Sequence, residues 1–387
     1  MTAAATLRVT LVITELDPGG AERALVRLAE GLVRQGQLVA VICLGSEAAL
    51  CGPLREAGVE VICLGFGDIR DLRRRNELAD AIASTAPDIL HAFLFHANTL
   101  TSWCLPAIAS RLGGRCPRLV LGHRVAERGK RWHAWAMRAA IRRAESASNL
   151  RPHHVAVSRA VAAFVVEAGV AAEAEVSVIT NGVDAERFAS AAPDMTPWGD
   201  GFGGTRLLAV GRLTEQKNFV ELTAAVSLAA DRGHNVRLVI AGEGDQRQLI
   251  EAAADPDRVR LVGRVSDPAP LYRAADLFVL SSQWEGLPNV LLEALAAGCP
   301  VVCTDVEGVA DVLPSDYPRS GFSRLELADA IDAALSGPPR PEKVQAVVRE
   351  RFTWESCVEG HLSLYRRLTC LDEAERSKTG ERDWAVR

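Results

Sequence analysis

The sequence predicts an α/β chain of two doubly wound domains. Three observations carry this. Short apolar runs bounded by Gly, Pro, Asn or Asp alternate with longer helical patterns from Leu7 to Leu368. Such continuous runs suit strands buried on both faces, as in parallel sheets. At 387 residues the chain is long enough for two cores. A stretch rich in Pro, Gly and Asp, Pro193–Gly204, separates one series of strands from the next. The expected division is a first domain at 1–185, a linker at 186–204 and a second domain at 205–351. A final helix at 352–387 has a charged tail beyond Asp372 that is expected to fray.

Composition narrows the class. Hydrophobic content of 48% and charged content of 24% are those of an ordinary globular protein. The net charge of −5 is uneven: residues 1–185 carry 21 Lys+Arg against 18 Asp+Glu, the remainder 23 against 31. That argues against a dedicated nucleic-acid binder and leaves room for a locally basic face. Nine cysteines include no CxxC pair and no zinc spacing. Cys43, Cys63 and Cys303 fall in apolar strands and read as buried, reduced thiols. No signal peptide opens the sequence, and no apolar run reaches the roughly 18 residues that span a bilayer. A cytoplasmic protein is expected.

The first domain begins with the strand Leu7–Ile13. Asp17-Pro18-Gly19-Gly20 turns the chain into a helix over Ala21–Gln35. A strand, a glycine turn and a helix let backbone amides approach a phosphate. The pattern is not GxGxxG, and no acidic residue ends the second strand, Leu38–Leu44. This argues against a dinucleotide site. Further strands are expected at Val59–Leu64, Ile89–Phe93, Arg118–Gly122, His154–Val157 and Val176–Ile179. His91, His96 and Asn98 lie at and just after the end of the fourth strand, where side chains are expected to face a ligand. His123 and Arg124 directly follow the fifth.

The second domain opens with Leu207–Val210. Gly211-Arg212-Leu213-Thr214-Glu215-Gln216-Lys217-Asn218 then leads into a helix over Phe219–Asp231. Arginine offers a planar fork for phosphate oxygens and lysine a movable point charge. The chain has only four lysines, so Lys217 is not background. Val236–Ala241 ends in the turn Gly242-Glu243-Gly244, and Val259–Val262 with Gly263 repeats the arrangement. Leu277–Ser282 is the next strand. Trp284-Glu285-Gly286-Leu287 is a loop, Pro288 suits a helix start, and Asn289–Ala297 is a helix closed by Gly298. Pro300–Cys303 resumes as strand. Glu285 and Glu293 thus stand beside a loop and helix N-terminus at the carboxyl end of a strand, where open α/β sheets bind ligands. Two carboxylates there accept hydrogen bonds from sugar hydroxyls. The site reads as one for a phosphorylated sugar compound.

E-G-L-P-N followed by LLEALAAGCPVV resembles the donor-site signature of the retaining glycosyltransferases of family 4, which have the GT-B fold. GGAER at Gly19–Arg23 and G-R-L-x-x-x-K-N at Gly211–Asn218 resemble two further segments of that family. The resemblance extends from Gly19 to about Arg367. It implies two Rossmann-like domains facing across a cleft, the second binding a nucleotide sugar, with a last helix crossing back to the first. The implied reaction moves a hexose or acetamidohexose from a nucleotide diphosphate sugar, UDP ahead of GDP, with retained configuration. Arg212 and Lys217 are then expected to neutralise the leaving diphosphate, and Gly19, Gly20 and Gly242 to let amides approach the donor. Glu293 is expected to hold the ribose and Glu285 the donor sugar, flanked by Gly286, Leu287 and Asn289. His123 matches a histidine near the reacting carbon. No Asp-x-Asp stands at a strand end, so neither metal nor cofactor is expected.

The match weakens after Val306-Glu307-Gly308. Glu307 stands where the family has the first of a glycine pair, and Leu313–Ser320 runs straight towards a helix near Arg324. A missing or remodelled edge strand is expected. On the acceptor side, His96, Asn98 and Arg124 are the candidates. Arg124, Arg128, Lys130, Arg131, Arg138, Arg142, Arg143 and Arg151 form a basic segment with Trp132, Trp135, Ala136 and Ala139 at helical spacing, and Asp71–Arg75 adds arginines. That composition fits a helix in a membrane interface and equally an ordinary amphipathic helix. His96-Ala97-Asn98 resembles a segment of members that extend lipid-linked sugars. The expected acceptor is therefore a lipid-linked saccharide at an anionic membrane face. A cytosolic glycosyltransferase on a small molecule, a sugar-nucleotide epimerase and a non-catalytic sugar-nucleotide-binding protein are the alternatives.

Overall fold

The computed structural model describes residues 5–67, 74–126, 131–148, 151–337, 339 and 342–379. The chain divides into two compact units, Met1–Thr180 with Trp354–Arg387, and Asn181–Thr353. Each is a doubly wound α/β unit, as the alternation of apolar runs and helices predicts.

Unit one contains β1 (Arg8–Ile13), α1 (Gly20–Arg34), β2 (Leu38–Cys43), α2 (Cys51–Glu56), β3 (Glu60–Cys63), α3 (Arg75–Ser84) and β4 (Ile89–Phe93). It continues with α4 (Leu94–Arg111), β5 (Arg118–His123), α5 (Arg131–Ser148), β6 (His153–Ala156), α6 (Arg159–Glu167) and β7 (Val176–Val178). The seven strands lie in the order β3-β2-β1-β4-β5-β6-β7, all parallel. The chain winds outward from β1 to β3, then lays β4 on the other side of β1. Its direction reverses between β1 and β4, and there the carboxyl ends of the strands diverge into a crevice.

Unit two contains α7 (Ala185–Ser190), β8 (Thr205–Val210), α8 (Phe219–Asp231), β9 (Val236–Ala241), α9 (Arg247–Ala253), β10 (Val259–Gly263) and α10 (Ala269–Ala274). Then come β11 (Leu277–Leu280), α11 (Asn289–Ala296), β12 (Val301–Thr304), α12 (Val309–Val312), β13 (Arg319–Ser320), α13 (Arg324–Ser336) and α14 (Glu342–Arg351). Six parallel strands run β10-β9-β8-β11-β12-β13. Here the reversal lies between β8 and β11. The chain re-enters unit one as α15 (Trp354–Thr379).

Residues alternate across the sheet of unit one, as the period of a strand requires. Val9, Leu11 and Ile13 face a layer with Leu25, Leu28 and Leu32 of α1 and Val358, Leu362 and Tyr365 of α15. Val12, Ile42 and Leu90 face the other layer, with Leu78 and Ile82 of α3, Ile108 of α4 and Met137 of α5. In unit two, Leu207, Leu238, Ile240 and Val279 pack beneath α8 and α13 against Leu222, Val226, Leu327 and Ile331. Ser323 and Glu326 form a reciprocal capping box at the start of α13.

One expectation changes and one is narrowed. Residues 186–204, read as a linker, are packed into unit two: Phe188 is buried, and Trp198 is fully buried with its Nε1 donating to Leu207 O at 3.0 Å. Polar composition marked this stretch as loose, but one tryptophan anchors it. The edge strand after Glu307 is remodelled rather than missing. It shrinks to Arg319–Ser320, paired with Cys303–Thr304, and is held by the buried Tyr317, whose hydroxyl donates to Val301 O at 3.2 Å. Helix α15 runs on to Thr379, into the charged segment beyond Asp372. Residues 380–387 of the expected tail lie outside the described residues.

Candidate active site

In unit two the candidate residues gather at the reversal point. The loop after β8 and the loop after β11 leave neighbouring strands side by side. Lys217 Nζ donates to Glu285 Oε1 at 2.5 Å, and Ser282 Oγ donates to the same oxygen at 2.9 Å. The two side chains of the ion pair are only 15% and 10% exposed, so screening by water is reduced. Backbone and side-chain bonds lace the loops together. Ser281 Oγ donates to Lys217 O at 2.7 Å, Gln283 N to Gln216 O at 2.8 Å, and Gln216 Nε2 to Trp284 O at 2.8 Å. Asn218 holds the left-handed φ of 57° that ends the Lys217 turn, and its Nδ2 donates to Phe322 O at 2.9 Å. Arg212 starts the same loop and is exposed.

Two glycines are required by close approach. A Cβ on Gly242 would lie 1.8 Å from Gly211 O, so only glycine lets the turn after β9 press on the Arg212–Lys217 loop. Gly308 has φ +78°, and a Cβ there would lie 1.9 Å from Gly286 O. The segment after Glu307 therefore supports the Glu285–Leu287 loop. Gly286 and Leu287 are buried beside it. Asn289 starts α11 and its Oδ1 accepts from Asn181 Nδ2 at 2.7 Å. Glu293, on the next turn, is half-buried and accepts from Tyr272 Oη at 3.0 Å. Burial and then the Glu293 charge push the Tyr272 hydroxyl well above its ordinary pKa, so it stays a donor.

Unit one holds a second group at its own reversal point and along β5. Gly19 caps α1 and Gly20 begins it; the space a side chain on Gly19 would fill is occupied by the Glu22 carboxylate. His123 closes β5. Its Nε2 lies 2.9 Å from His154 Nδ1, with the rings stacked at 5.2 Å. Burial lowers His123 to about 4 and His154 well below the ordinary imidazole range. Both rings are neutral near pH 7, one donating and the other accepting. Asn98 is buried, its Nδ2 donating to Gly122 O at 2.9 Å while its Oδ1 has no partner among the described residues. His96 is half-buried against the Phe95 edge, and the Arg124 guanidinium lies 5.1 Å over the Phe93 ring. Asn98, His123, Arg124 and His133, with Phe95, Met137 and Phe164, line a cavity of about 90 Å³.

His91 does not join this group. It is fully buried in the middle of β4, its Nδ1 2.6 Å from Tyr365 Oη and its ring stacked on Phe93. Strand alternation turns it into the layer covered by α15. The basic helix α5 packs on a face that its sequence did not single out. His133, Met137, Ala140, Ile141 and Ala144 form its buried face, whereas Trp132 and Trp135 are 59% and 64% exposed, beside exposed Arg142 and Arg143. The Trp132-Trp135-Ala136-Ala139 stripe is therefore not the packing face. Arg138 is used internally, donating to Ala168 O at 2.6 Å. Arg128, Lys130 and residues 71–73 lie outside the described residues, and Arg74 is tied to Glu77 and to Leu64 O. No helix among the described residues is long and apolar enough to cross a membrane.

Ser282 and Tyr272 were not legible as site residues. Ser282 sits at the end of an apolar run read as strand, but β11 stops at Leu280 and releases it to Glu285. Tyr272 reads as core, which it also is.

The family model described as Glycosyltransferase Family 4 matches residues 18–187, and that described as Glycosyl transferases group 1 matches residues 204–336. An uncharacterised glycosyltransferase of Methanocaldococcus jannaschii is 32% identical over 176 residues, 41% of this chain and 44% of that protein. The phosphatidyl-myo-inositol mannosyltransferase of Mycolicibacterium smegmatis is 32% identical over 210 residues, 51% of this chain and 52% of that protein. The matched segments thus span about half the length of these relatives. Among solved structures, Anabaena HepE in complex with UDP superposes with a TM-score of 0.74 at 18% identity, covering 92% of this chain and 98% of that one. At that identity the likeness concerns the fold.

Proposed function

Because the chain belongs to the family 4 glycosyltransferases of the GT-B fold, we propose that it moves a hexose or N-acetylhexosamine from a nucleotide diphosphate sugar to a saccharide acceptor, with the anomeric configuration retained. The observation that carries this reading is the Lys217–Glu285 pair at the reversal of the second sheet. An ammonium has three donors, and Glu285 takes one. The others, with the exposed Arg212 fork, suit the oxygens of a diphosphate whose charge grows as the glycosidic bond breaks. The second oxygen of Glu285 suits a sugar hydroxyl. Glu293, held by Tyr272 on α11, suits the two ribose hydroxyls, and Asn289 begins that helix. These roles need no metal ion, since two cationic side chains do what Mg²⁺ does in other transferases. A UDP-sugar is the first donor to try, and the Anabaena neighbour is described with UDP bound.

Unit one supplies the acceptor side in this reading. Neutral His123 and the neighbouring Asn98 and His96 suit hydroxyl groups, and Arg124 an anionic group. The exposed tryptophans and arginines of α5 suit a membrane interface, and with it a lipid-linked acceptor. The test is release of nucleoside diphosphate from a panel of UDP- and GDP-sugars, with and without acceptor lipids and in excess chelator. Acceptor-dependent release with a retained anomer supports the reading. Donor binding without release would point to a binding protein, and a new sugar nucleotide without acceptor to an epimerase. Loss of activity in chelator, restored by Mg²⁺ or Mn²⁺, would overturn the assigned roles of Arg212 and Lys217.

A further inference from the structure

Away from these residues, the edge of unit one gathers three thiols. Cys43 closes β2 and Cys63 closes β3, and the two are register partners in the sheet. Cys51 is the first residue of α2, and its Sγ lies 3.6 Å from Cys63 Sγ. Glu47, in the loop between β2 and α2, brings a carboxylate oxygen to the same place. That oxygen and the two sulfurs all lie within 4.8 Å of one another. The spacing 43, 47, 51, 63 matches no metal motif in sequence. Parallel pairing of β2 with β3 and the short return through α2 create the cluster.

Its surroundings are those of a ligand set. Arg55 bonds both Glu47 oxygens, one at 2.9 Å, which orients the carboxylate and leaves lone pairs free. The Ala48 amide donates to Cys51 Sγ at 3.4 Å. Cys51 is buried, Cys63 half-buried and Glu47 exposed, so an ion reaches the cluster from solvent. Cys43 is buried beside them. A tetrahedral zinc ion with Zn–S bonds of about 2.3 Å sets its sulfurs about 3.8 Å apart. The 3.6 Å separation here is already close to that edge.

We propose that Glu47, Cys51 and Cys63 form a site for one thiophilic divalent cation, Zn²⁺ in the first instance. The ion pins the loop 44–50 to the end of β3. Soft sulfur ligands favour Zn²⁺ over Mg²⁺ or Ca²⁺. Binding forms two Zn–S bonds and one Zn–O bond and breaks two S–H bonds, whose protons go to solvent. Glu47 enters already ionised, and nothing is oxidised or reduced. A fourth position is left for water.

The experiment is a Co²⁺ titration of the full chain, reduced and with all thiols counted. One ion per chain is expected, with thiolate-to-cobalt charge transfer in the near ultraviolet, tetrahedral visible bands, release of two protons, and displacement by Zn²⁺. Cys51→Ser or Cys63→Ser removes the charge-transfer band. Glu47→Gln, on the surface, weakens affinity by at least about 10-fold. Cys43→Ser retains the band, and circular dichroism verifies each fold. A reduced protein with no charge-transfer band overturns the proposal, as does a band unchanged in both Cys51→Ser and Cys63→Ser. If Cys51 and Cys63 resist reduction, the pair is a disulfide and the proposal fails.

Discussion

Lys217 and Glu285 are 68 residues apart in the chain and 2.5 Å apart in the fold. They meet because β8 and β11 are neighbours on either side of the reversal in their sheet. The cation proposed here for phosphate and the carboxylate proposed for sugar thus hold each other in position. Removing one affects the other.

Lys217→Met should lower turnover by about 100-fold or more, the usual loss for one transition-state donor. It should also destabilise unit two, because Glu285 is left with Ser282 alone in a largely desolvated place. The double variant Lys217→Met/Glu285→Gln should recover stability but not turnover. Thermal melts and initial rates on the four proteins of this cycle measure both couplings. Additive stability losses would mean that the pair contributes nothing to the fold.

Gly308→Ala tests the support beneath the Glu285–Leu287 loop. The added methyl has no room against Gly286 O, and φ +78° disfavours any other residue. A raised KM for the donor is expected, with a stability loss of about 1–3 kcal/mol. Gly337→Ala, where nothing lies within 4 Å of the new methyl, is the control. An unchanged donor KM in Gly308→Ala would separate this segment from the site.

Most of this frame was readable because its causes are local. Ile89–Phe93, Val236–Ala241 and the helix Phe219–Asp231 run as the apolar patterns place them. The loop residues Arg212, Lys217 and Glu285 fall at strand ends, and strand ends are visible in sequence. What could not be read depends on partners far along the chain. Trp198 makes a linker into core, Tyr317 holds a two-residue strand, and Tyr365 draws His91 inward from 274 residues away. Nor does periodicity tell which face of α5 packs. Two tryptophans at helical spacing suit a core or an interface alike, and only the packing of Met137 and Ile141 turns them outward.

Acid should unfold unit one earlier than its carboxylates alone require. Burial lowers His123, His153 and His361 to about 4, and His91 and His154 well below the ordinary range. In the unfolded chain these rings titrate near about 6.5. Between about 6.5 and 4 the unfolded state binds protons that the fold refuses. The stabilisation is complete above about 6.5 and is lost as pH falls towards about 4. Urea midpoints followed from pH 7.5 to 4.5 should decline, and less steeply in a His361→Leu variant. A midpoint constant from pH 7 to 5 would contradict the buried neutral rings. For the same reason, no inflection from His123 near pH 6.5 is expected in the rate profile.

The last prediction concerns α5. An amphipathic helix normally buries its largest apolar residues, and this one does not. His133, Met137, Ile141 and Ala144 pack inward, leaving Trp132 and Trp135 outward with Arg142 and Arg143 two to three turns on. Arg143 covers the Trp103 ring at 5.1 Å, so this cationic surface is continuous with α4. Tryptophan favours the headgroup zone of a bilayer, and each arginine near an anionic surface adds about 1 kcal/mol of attraction. The full chain should therefore float with vesicles containing anionic lipid at low salt and less so at high salt, where the Debye length shortens. Arg142→Glu/Arg143→Glu should abolish flotation through charge. Trp132→Ala/Trp135→Ala should weaken it while keeping the salt dependence, because insertion and attraction are separate contributions. Activity on a soluble acceptor should survive both pairs of changes. Failure to float under every condition, with full activity on a soluble acceptor, would leave a glycosyltransferase of small molecules and remove the membrane from the proposed function.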